Sequence, residues 1–223
     1  MKISTVLCVG AAIAAFAGSA QAFVPWSNPT GTAGFFDWSG GGSDFGLFGS
    51  PVVVGGDTFV FFPSAFRAES VGGGSTITYD RLEFEVTAHA NFSFSDIRIT
   101  EYGDYGIVGS GSVEAGGTLF VTDLSGGGGT LTDNLVTSPA SPITSGIGNW
   151  SGTAGVDSSA WGSTRMRVVM NNNLVAISIG NSVVWIEKKV SGSAVSVQIV
   201  PTPGSLALLG LGGLAAVRRR RSV

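Results

Sequence analysis

The chain has 223 residues, of which 35 are glycine and only 12% are charged, with a formal net charge of −3. This length is enough to bury the core of one large domain, and the low charge excludes a chain that is kept disordered by charge repulsion. Glycine clusters alternate with segments rich in Val, Ile, Thr and Phe, which is typical of short strands joined by tight turns.

Residues 1–22 have the features of a secretory signal peptide. Lys2 lies near the start, residues 5–17 are apolar, and Ala20 and Ala22 form the small-x-small pattern that signal peptidase accepts. The apolar part is shorter than the ~20 residues of a spanning helix, which argues against the alternative of an uncleaved anchor. We therefore expect a signal helix, export of the chain and cleavage by signal peptidase.

Removal of residues 1–22 would leave no cysteine, because the single Cys8 lies within them. We therefore expect a mature chain without disulfides or cysteine-bound zinc. Residues 23–200 hold 7 basic and 15 acidic side chains, a net charge of −8. Such an acidic body repels phosphate backbones, so we expect no nucleic-acid partner.

The middle of the chain has the period of β-strands. Leu82, Phe84 and Val86 alternate with polar residues, as in a strand with one buried face. The apolar parity then changes, which predicts a bulge near Ser95 and Asp96.

Two polar segments farther on predict hairpin turns, one at residues 171–173 (Asn-Asn-Asn) and one at Gly180-Asn181. About ten strands are expected between residues 51 and 200, and no helical period is sustained there. We therefore predict an all-β fold, a single jelly-roll-like β-sandwich over residues 23–200. An N-terminal signal helix and a short hydrophobic C-terminal helix are expected to flank it.

The residues that could perform catalysis are few. His89 is the only histidine, and the chain has no Gly-x-Ser-x-Gly motif and no histidine pair for zinc. A hydrolase that uses His89 as general base remains an alternative. We assign no catalytic residue and expect a protein that is not an enzyme.

Carboxylates in glycine-rich loops could bind a hard cation through oxygen. The candidates are Asp37, Asp44 and Asp57 in one region and Glu101 and Asp104 in another. Neither the EF-hand spacing nor the nonapeptide repeat is present. We assign no cofactor, and a structural calcium ion stays an open alternative.

The five tryptophans raise the question of sugar binding, because exposed aromatic faces stack on pyranose rings. Trp38 in "FDWSG" and Trp150 in "GNWSG" have loop-like surroundings and are the candidate glycan contacts. Trp185 in "VVWIE" shares the outward parity of its strand. The alternative is that these side chains fill the core or close its ends.

The last 23 residues, 201–223, form a segment with three parts. A proline motif comes first and consists of Pro201, Thr202, Pro203 and Gly204. Residues 205–217 are apolar, and as a helix they would reach only about 20 Å across a hydrocarbon core of ~30 Å. Four arginines then follow: Arg218, Arg219, Arg220 and Arg221. Guanidinium groups cross a bilayer at high cost, so this cluster is expected to stop transfer and leave the body outside.

This order of proline motif, apolar helix and arginine cluster resembles the PEP-CTERM sorting signal of Gram-negative bacteria. The resemblance implies recognition by an exosortase-type membrane transpeptidase, cleavage near the proline motif, and transfer to the cell surface or its matrix. Thr202 stands where the family's motif has glutamate, which leaves the processing enzyme open. The alternative is a permanent single-pass anchor. The body also resembles exported proteins with this tail, and that likeness implies no activity.

The sequence therefore favours an exported, non-enzymatic surface or extracellular-matrix protein. It would be anchored transiently in the inner membrane, sorted through its tail and associated with exopolysaccharide. The two alternatives are a carbohydrate-binding module at the cell surface and a hydrolase.

Overall fold

The computed structural model describes residues 23–188 and 195–203, which form thirteen β-strands and one short 3-10 helix. The strands are β1 Val24–Pro25, β2 Gly31–Thr32, β3 Phe36–Ser43, β4 Val52–Val54, β5 Thr58–Phe61, β6 Arg67–Val71, β7 Gly74–Ala88, β8 Phe92–Asp123, β9 Thr130–Asn134, β10 Val136–Ser138, β11 Gly146–Asp157, β12 Arg165–Glu187 and β13 Val195–Pro203. The 3-10 helix is Ser159–Trp161. The predicted signal helix and the predicted hydrophobic tail helix lie outside the described residues.

The predicted all-β class is confirmed. The strands pair antiparallel in one sheet that curls on itself as in a β-sandwich, with a main path β1-β3-β7-β12-β8-β13-β5-β4. Off this path, β6 pairs with β12, β9 and β11 pair with β8, β10 pairs with β11, and β2 pairs with β3. No helix within the described ranges has the length and hydropathy of a membrane span.

Two long strands, β8 and β12, run through both halves of the curled sheet. Residues 110–123 of β8 pair with 166–179 of β12, and residues 104–108 pair with 183–187. The register shifts between Ile179 and Val183, where the Ser182 hydroxyl donates to Ile179 O at 2.7 Å and accepts from Ser110 N at 2.7 Å. The inward side chains of both paired segments belong to one hydrophobic core.

The two hairpins predicted within residues 165–187 are wrong, because this whole segment is the continuous strand β12. Asn172 pairs with Asp80 of β7 on one side and with Gly117 of β8 on the other. Neighbouring strands on both edges override the local turn preference of asparagine. Gly180, with φ of 61°, lies in a bulge rather than in a hairpin turn.

The predicted strand period and bulge are confirmed. Leu82, Phe84 and Val86 are all buried, and Glu83 and Glu85 between them are half-buried. In the pairing of β13 with β8, the register skips Ser95. That extra residue brings Phe94 and Ile97 to the same buried side.

Aromatic rings fill the centre of the core. Phe59 is fully buried and lies 4.9 Å from Phe84, 5.4 Å from Trp38 and 5.9 Å from Trp26, measured between ring centroids. Tilted and edge-to-face contacts of this kind stabilise a core beyond the area that they bury. Apolar packing therefore carries the stability of an acidic body that contains no cysteine.

The last strand extends past the predicted end of the domain at residue 200. Pro201, Thr202 and Pro203 belong to β13 and pair with residues 94, 93 and 92 of β8. The pairing of β13 with β5 covers only residues 195–198, so the two prolines follow the part that has neighbours on both edges. Proline lacks an amide donor and is tolerated where one edge of a strand is unpaired.

Candidate functional site

An outer groove crosses β7, β12 and β8 on the side of the sheet that faces away from the core. Its first part, of about 350 Å³, is lined by Asp44, Tyr79, Asp80, Arg81, Asn171, Asn172 and Asn173. Its second part, of about 290 Å³, shares Arg81 and Asn171 and adds Phe120, Thr122, Thr130, Arg167 and Val169. The two parts are adjacent, because Arg81 and Asn171 line both of them.

The register of β7 with β12 places the polar groups of the outer groove side by side. Arg81 is directly opposite Asn171, and Tyr79 is directly opposite Asn173. Side chains at facing positions of antiparallel strands are neighbours, so an amide stands beside the guanidinium and another beside the phenol ring. The β8 residue opposite Asn173 is Gly116, which keeps this part of the floor low.

Tyr79 forms an aromatic wall of the outer groove. Its side chain is 57% exposed, and its ring makes an edge-to-face contact with Phe45 at 5.0 Å between centroids. The contact fixes the orientation of the phenol ring while leaving part of it in solvent. An exposed, oriented aromatic ring offers an apolar surface with a polar hydroxyl at its tip.

Buried Asp80 holds the loop that carries Phe45 and Asp44. Its carboxylate accepts hydrogen bonds from Phe45 N at 2.9 Å, Leu47 N at 2.8 Å and the Ser43 hydroxyl at 2.9 Å. The side chain is 1% exposed, and it is satisfied by these donors together with Arg81 N. The loop at the rim of the outer groove is thus positioned by a residue of its floor.

Charges along the outer groove are paired, both within β7 and between β7 and β12. Arg81 contacts Glu83 and lies 3.6 Å from Asp44. Arg167 lies 3.4 Å from Glu83 and 2.9 Å from Glu85.

The second partner of Glu85 is Arg165, at 2.6 Å. Burial raises the pKa of Glu85, but the hydrogen bonds and charges of the two arginines Arg165 and Arg167 outweigh it and lower the pKa. Each of the three arginines thus has a carboxylate partner, so the surface suits an uncharged polar ligand better than a highly charged one.

The assignment of Trp38 and Trp150 as glycan contacts is wrong, because both side chains are buried. Trp38 is 8% exposed and donates from Nε1 to Asn28 O at 3.1 Å. Trp150 is 2% exposed and donates from Nε1 to Glu187 O at 3.2 Å. Both fill the core, in agreement with the alternative interpretation of these tryptophans, and neither exposes a ring face to solvent. Trp185 is half-buried beneath the guanidinium of Arg67, 4.7 Å from its ring centroid.

His89 lies at the end of β7 beside Asp37. Its Nε2 is 3.1 Å from Asp37 Oδ1, which also accepts a hydrogen bond from the Thr32 hydroxyl at 2.8 Å. The hydrogen bond from Thr32, followed by that from His89, lowers the pKa of Asp37. The pair gives the imidazole an orienting carboxylate on a partly exposed edge of the sheet.

The candidate calcium ligands do not converge. Asp57 accepts from Thr58 Oγ1 at 2.7 Å and from Gln198 Nε2 at 3.1 Å, whereas Asp44 faces Arg81. Glu101 is fully buried in the core. Within residues 23–188 and 195–203, no three metal-ligating side chains of His, Cys, Asp or Glu come together.

Sequence reasoning missed Tyr79, Asp80 and Arg81. The alternation of β7 contained a usable signal, because Asp80 has the same parity as Leu82 and Phe84 and is therefore directed inward. A carboxylate at a core position needs several donors, which points to a structured neighbouring loop.

No family model matches the chain, and no curated protein matches it. Among solved structures, the chain is similar to TmCBM61, a carbohydrate-binding module in complex with β-1,4-galactotriose, at 11% identity and a TM-score of 0.26, over 78% of this chain and 97% of that one. It is also similar to the enzymatically active domain of bacteriophage CBA120 tailspike protein 4, at 9% identity and a TM-score of 0.21, over 60% of this chain and 19% of that one. The VP2 subviral particle of infectious bursal disease virus gives 14% identity and a TM-score of 0.19, over 77% and 54% of the two chains. These likenesses carry neither a ligand nor an activity over to this chain.

Proposed function

We propose that the chain is a carbohydrate-binding protein whose jelly-roll-type β-sandwich holds a neutral polysaccharide in the outer groove. The observation that carries the proposal is the exposed ring of Tyr79 beside the register-matched side chains of Arg81, Asn171 and Asn173. A pyranose ring has apolar C–H faces and a rim of hydroxyl groups. One aromatic face and several fixed donors and acceptors match that chemistry.

The paired charges of the outer groove favour an uncharged ligand. Arg81, Arg167, Glu83 and Glu85 already form ion pairs with one another, so an anionic polymer would have to break ion pairs in order to bind. Amide and guanidinium groups can still donate to sugar hydroxyls from their free hydrogens. Binding would then depend on shape and hydrogen bonds and would change little with salt.

The test is binding of the purified chain to a panel of neutral and acidic polysaccharides, measured by affinity electrophoresis and calorimetry. The change Tyr79→Ala is expected to weaken binding at least about tenfold, because the stacking surface is lost. The matched control is Tyr102→Ala, since Tyr102 is also on the surface, at 42% exposure, but does not line the outer groove. Equal losses in both variants, or no binding to any glycan, would refute the proposal.

For the cellular context, we propose export through residues 1–22 and sorting through residues 201–223 by an exosortase-type transpeptidase. Exopolysaccharide of the cell surface or matrix would then be the polymer that the outer groove meets. The support is the tripartite tail and its likeness to the PEP-CTERM signal. Intact-mass analysis of the protein from its native envelope tests this, because processing removes the arginine cluster. A mass that retains the apolar segment and Arg218 to Arg221 would favour the permanent anchor instead.

A further inference from the structure

Three polar side chains meet in the middle of the apolar core, and we call them the core triad: Glu101, Asn172 and Lys188. They are 0%, 3% and 1% exposed, respectively. Glu101 extends inward from β8, Asn172 from the first part of β12, and Lys188 from the position just after β12. The core triad thus spans the two halves of the curled sheet.

The carboxylate of Glu101 holds an amine and a carboxamide at the same time. Lys188 Nζ contacts Glu101 Oε2, and Asn172 Nδ2 donates to Glu101 Oε1 at 2.6 Å. Since both partners bind one carboxylate, the amine and the amide are neighbours in a site closed to solvent. Asn172 Oδ1 is buried and has no hydrogen-bond partner among the described residues.

Aromatic rings enclose the amine. Lys188 Nζ lies 5.2 Å from the ring centroid of Phe66 and 5.1 Å from that of Trp150. Burial lowers the pKa of Lys188, and the charge and hydrogen bond of Glu101 oppose that change. A buried lysine that loses its proton is a nucleophile.

An ion pair in such a place is a poor source of stability. The free energy lost by removing two charges from water commonly exceeds the free energy gained from their attraction. Three apolar side chains of similar volume would therefore stabilise the core at least as well. The unpaired carbonyl oxygen of Asn172 adds a further cost. A chemical step that removes both the charge and the free amide would relieve these costs.

We propose that the core triad forms an intramolecular amide bond between Lys188 Nζ and Asn172 Cγ, with Glu101 as the proton carrier. Glu101 accepts a proton from the ammonium group, and the free amine attacks Cγ. A second amine proton passes through the Glu101 carboxyl group to Nδ2, the Cγ–Nδ2 bond breaks, and the nitrogen leaves as ammonia. Glu101 keeps the first proton, so neither an ammonium group nor a carboxylate remains in the core. No oxidant, reductant or other reactant is consumed.

The bond would close residues 172–188 into a covalent ring across the bend of β12. A cross-link restricts the unfolded chain and so stabilises the folded one. The chain offers no cysteine after residue 22, so this would be a covalent tie that needs no disulfide chemistry. The inference does not rest on glycan binding, although Asn172 is also among the residues that line the outer groove.

Peptide mapping of the purified, folded chain tests the bond. Trypsin cuts after Arg167 and Lys188, so an unlinked chain gives the peptide 168–188 at its sequence mass. In the linked chain Lys188 resists trypsin, and the peptide extends to Lys189 with a mass about 17 Da below its sequence mass, the loss of one ammonia. A second cleavage after Glu187 should leave Lys188 attached to the rest of the peptide.

Two variants test the roles of the Glu101 carboxylate and the Lys188 amine in forming the bond. Glu101→Gln should give the unlinked peptide, because the proton carrier is lost. Lys188→Met removes the amine in an apolar form that the core accepts, so a folded, unlinked control remains if Glu101→Gln does not fold. A succinimide at Asn172 would also lose ammonia, but it would leave Lys188 open to trypsin. Folded wild-type chain that yields peptide 168–188, at full mass or as the succinimide, overturns the proposal.

Discussion

A single carboxylate, Asp123, organises the glycine-rich turn after β8. It accepts hydrogen bonds from Ser125 N at 2.8 Å, Gly127 N at 2.8 Å and Gly128 N at 2.6 Å. The hydroxyl of Ser163 donates to the same side chain. The turn at residues 126–129 is therefore a structured connection to β9, and the donors favour the ionised form of Asp123.

The change Asp123→Asn is expected to lower the free energy of unfolding by roughly 1–2 kcal/mol at neutral pH, because a charged acceptor of several bonds is lost. The Ser163 hydrogen bond, followed by the backbone donors, places the pKa of Asp123 below its ordinary value of 3.8. With a folded pKa below the unfolded one, the contribution is complete above about pH 4 and is lost as the pH falls further.

Urea unfolding of both proteins at several pH values checks this prediction for Asp123. The difference between wild type and variant should shrink as the solution is acidified below pH 4. Asp133→Asn is the control, since Asp133 accepts one bond, from Gly155 N at 2.8 Å. A difference that is independent of pH would contradict the assigned role.

Single residues also show where the sequence was informative and where it was not. The parity of Glu101 and Asn172 directs both toward the core, and this can be read from Ile99, Met170 and Leu174 around them. Their partners cannot be read in this way, because the contacts join residues 71 and 87 positions apart in sequence. From sequence alone, Glu101 is therefore only a candidate ligand in the open calcium alternative and Asn172 is placed in a predicted turn, although both are components of the core.

At the scale of elements, β12 shows how pairing overrides local preference. Its outward residues Asn171 and Asn173 line the outer groove, and its inward residue Asn172 belongs to the core triad. Three successive asparagines favour a turn in isolation, but here strands on both sides supply their backbone partners. The alternation of β7 and the bulge near Ser95 were predictable from the sequence. The continuity of β12 was not, because it depends on the neighbouring strands β7 and β8.

The backbone conformation of Gly180 in the bulge of β12 allows the effect of a substitution on stability to be predicted. Its φ is 61°, and a Cβ there would meet no atom within 4 Å, so the backbone alone opposes a side chain. Gly180→Ala is expected to destabilise the fold by about 1 kcal/mol because alanine adopts this conformation at a cost. Thermal unfolding measures the effect.

Gly155→Ala is the matched control for the bulge. Gly155 lies in β11 with ordinary strand angles, and the nearest contact of an added Cβ is 3.6 Å from Arg98 Cγ. This substitution should leave the melting temperature nearly unchanged. If both alanine variants melt at the same temperature, the strain at Gly180 is not what shapes the bulge.

At the scale of the whole molecule, β13 pairs the end of the described chain with strands from earlier in the sequence. It lies between β8 and β5, and Val195, Val197 and Ile199 are fully buried. The proline motif follows directly in the same strand. An enzyme that binds Pro201 to Pro203 in extended form must therefore first separate them from residues 92–94.

This arrangement predicts that the position at which the chain is truncated determines whether the domain remains folded. A chain that ends after Gly204 keeps all of β13 and should retain the melting temperature of the full chain within a few degrees. A chain that ends at residue 194 loses three buried aliphatic side chains, each worth about 1.5–3 kcal/mol, together with a central strand. That loss is comparable to the whole stability of a typical domain, so the shorter chain should be unfolded. Circular dichroism and thermal melts of both truncations, each without residues 1–22, make the comparison. Cooperative melting of the shorter chain would show that β13 is dispensable, whereas its unfolding would exclude residue 194 and earlier positions as sorting cleavage sites compatible with a folded product.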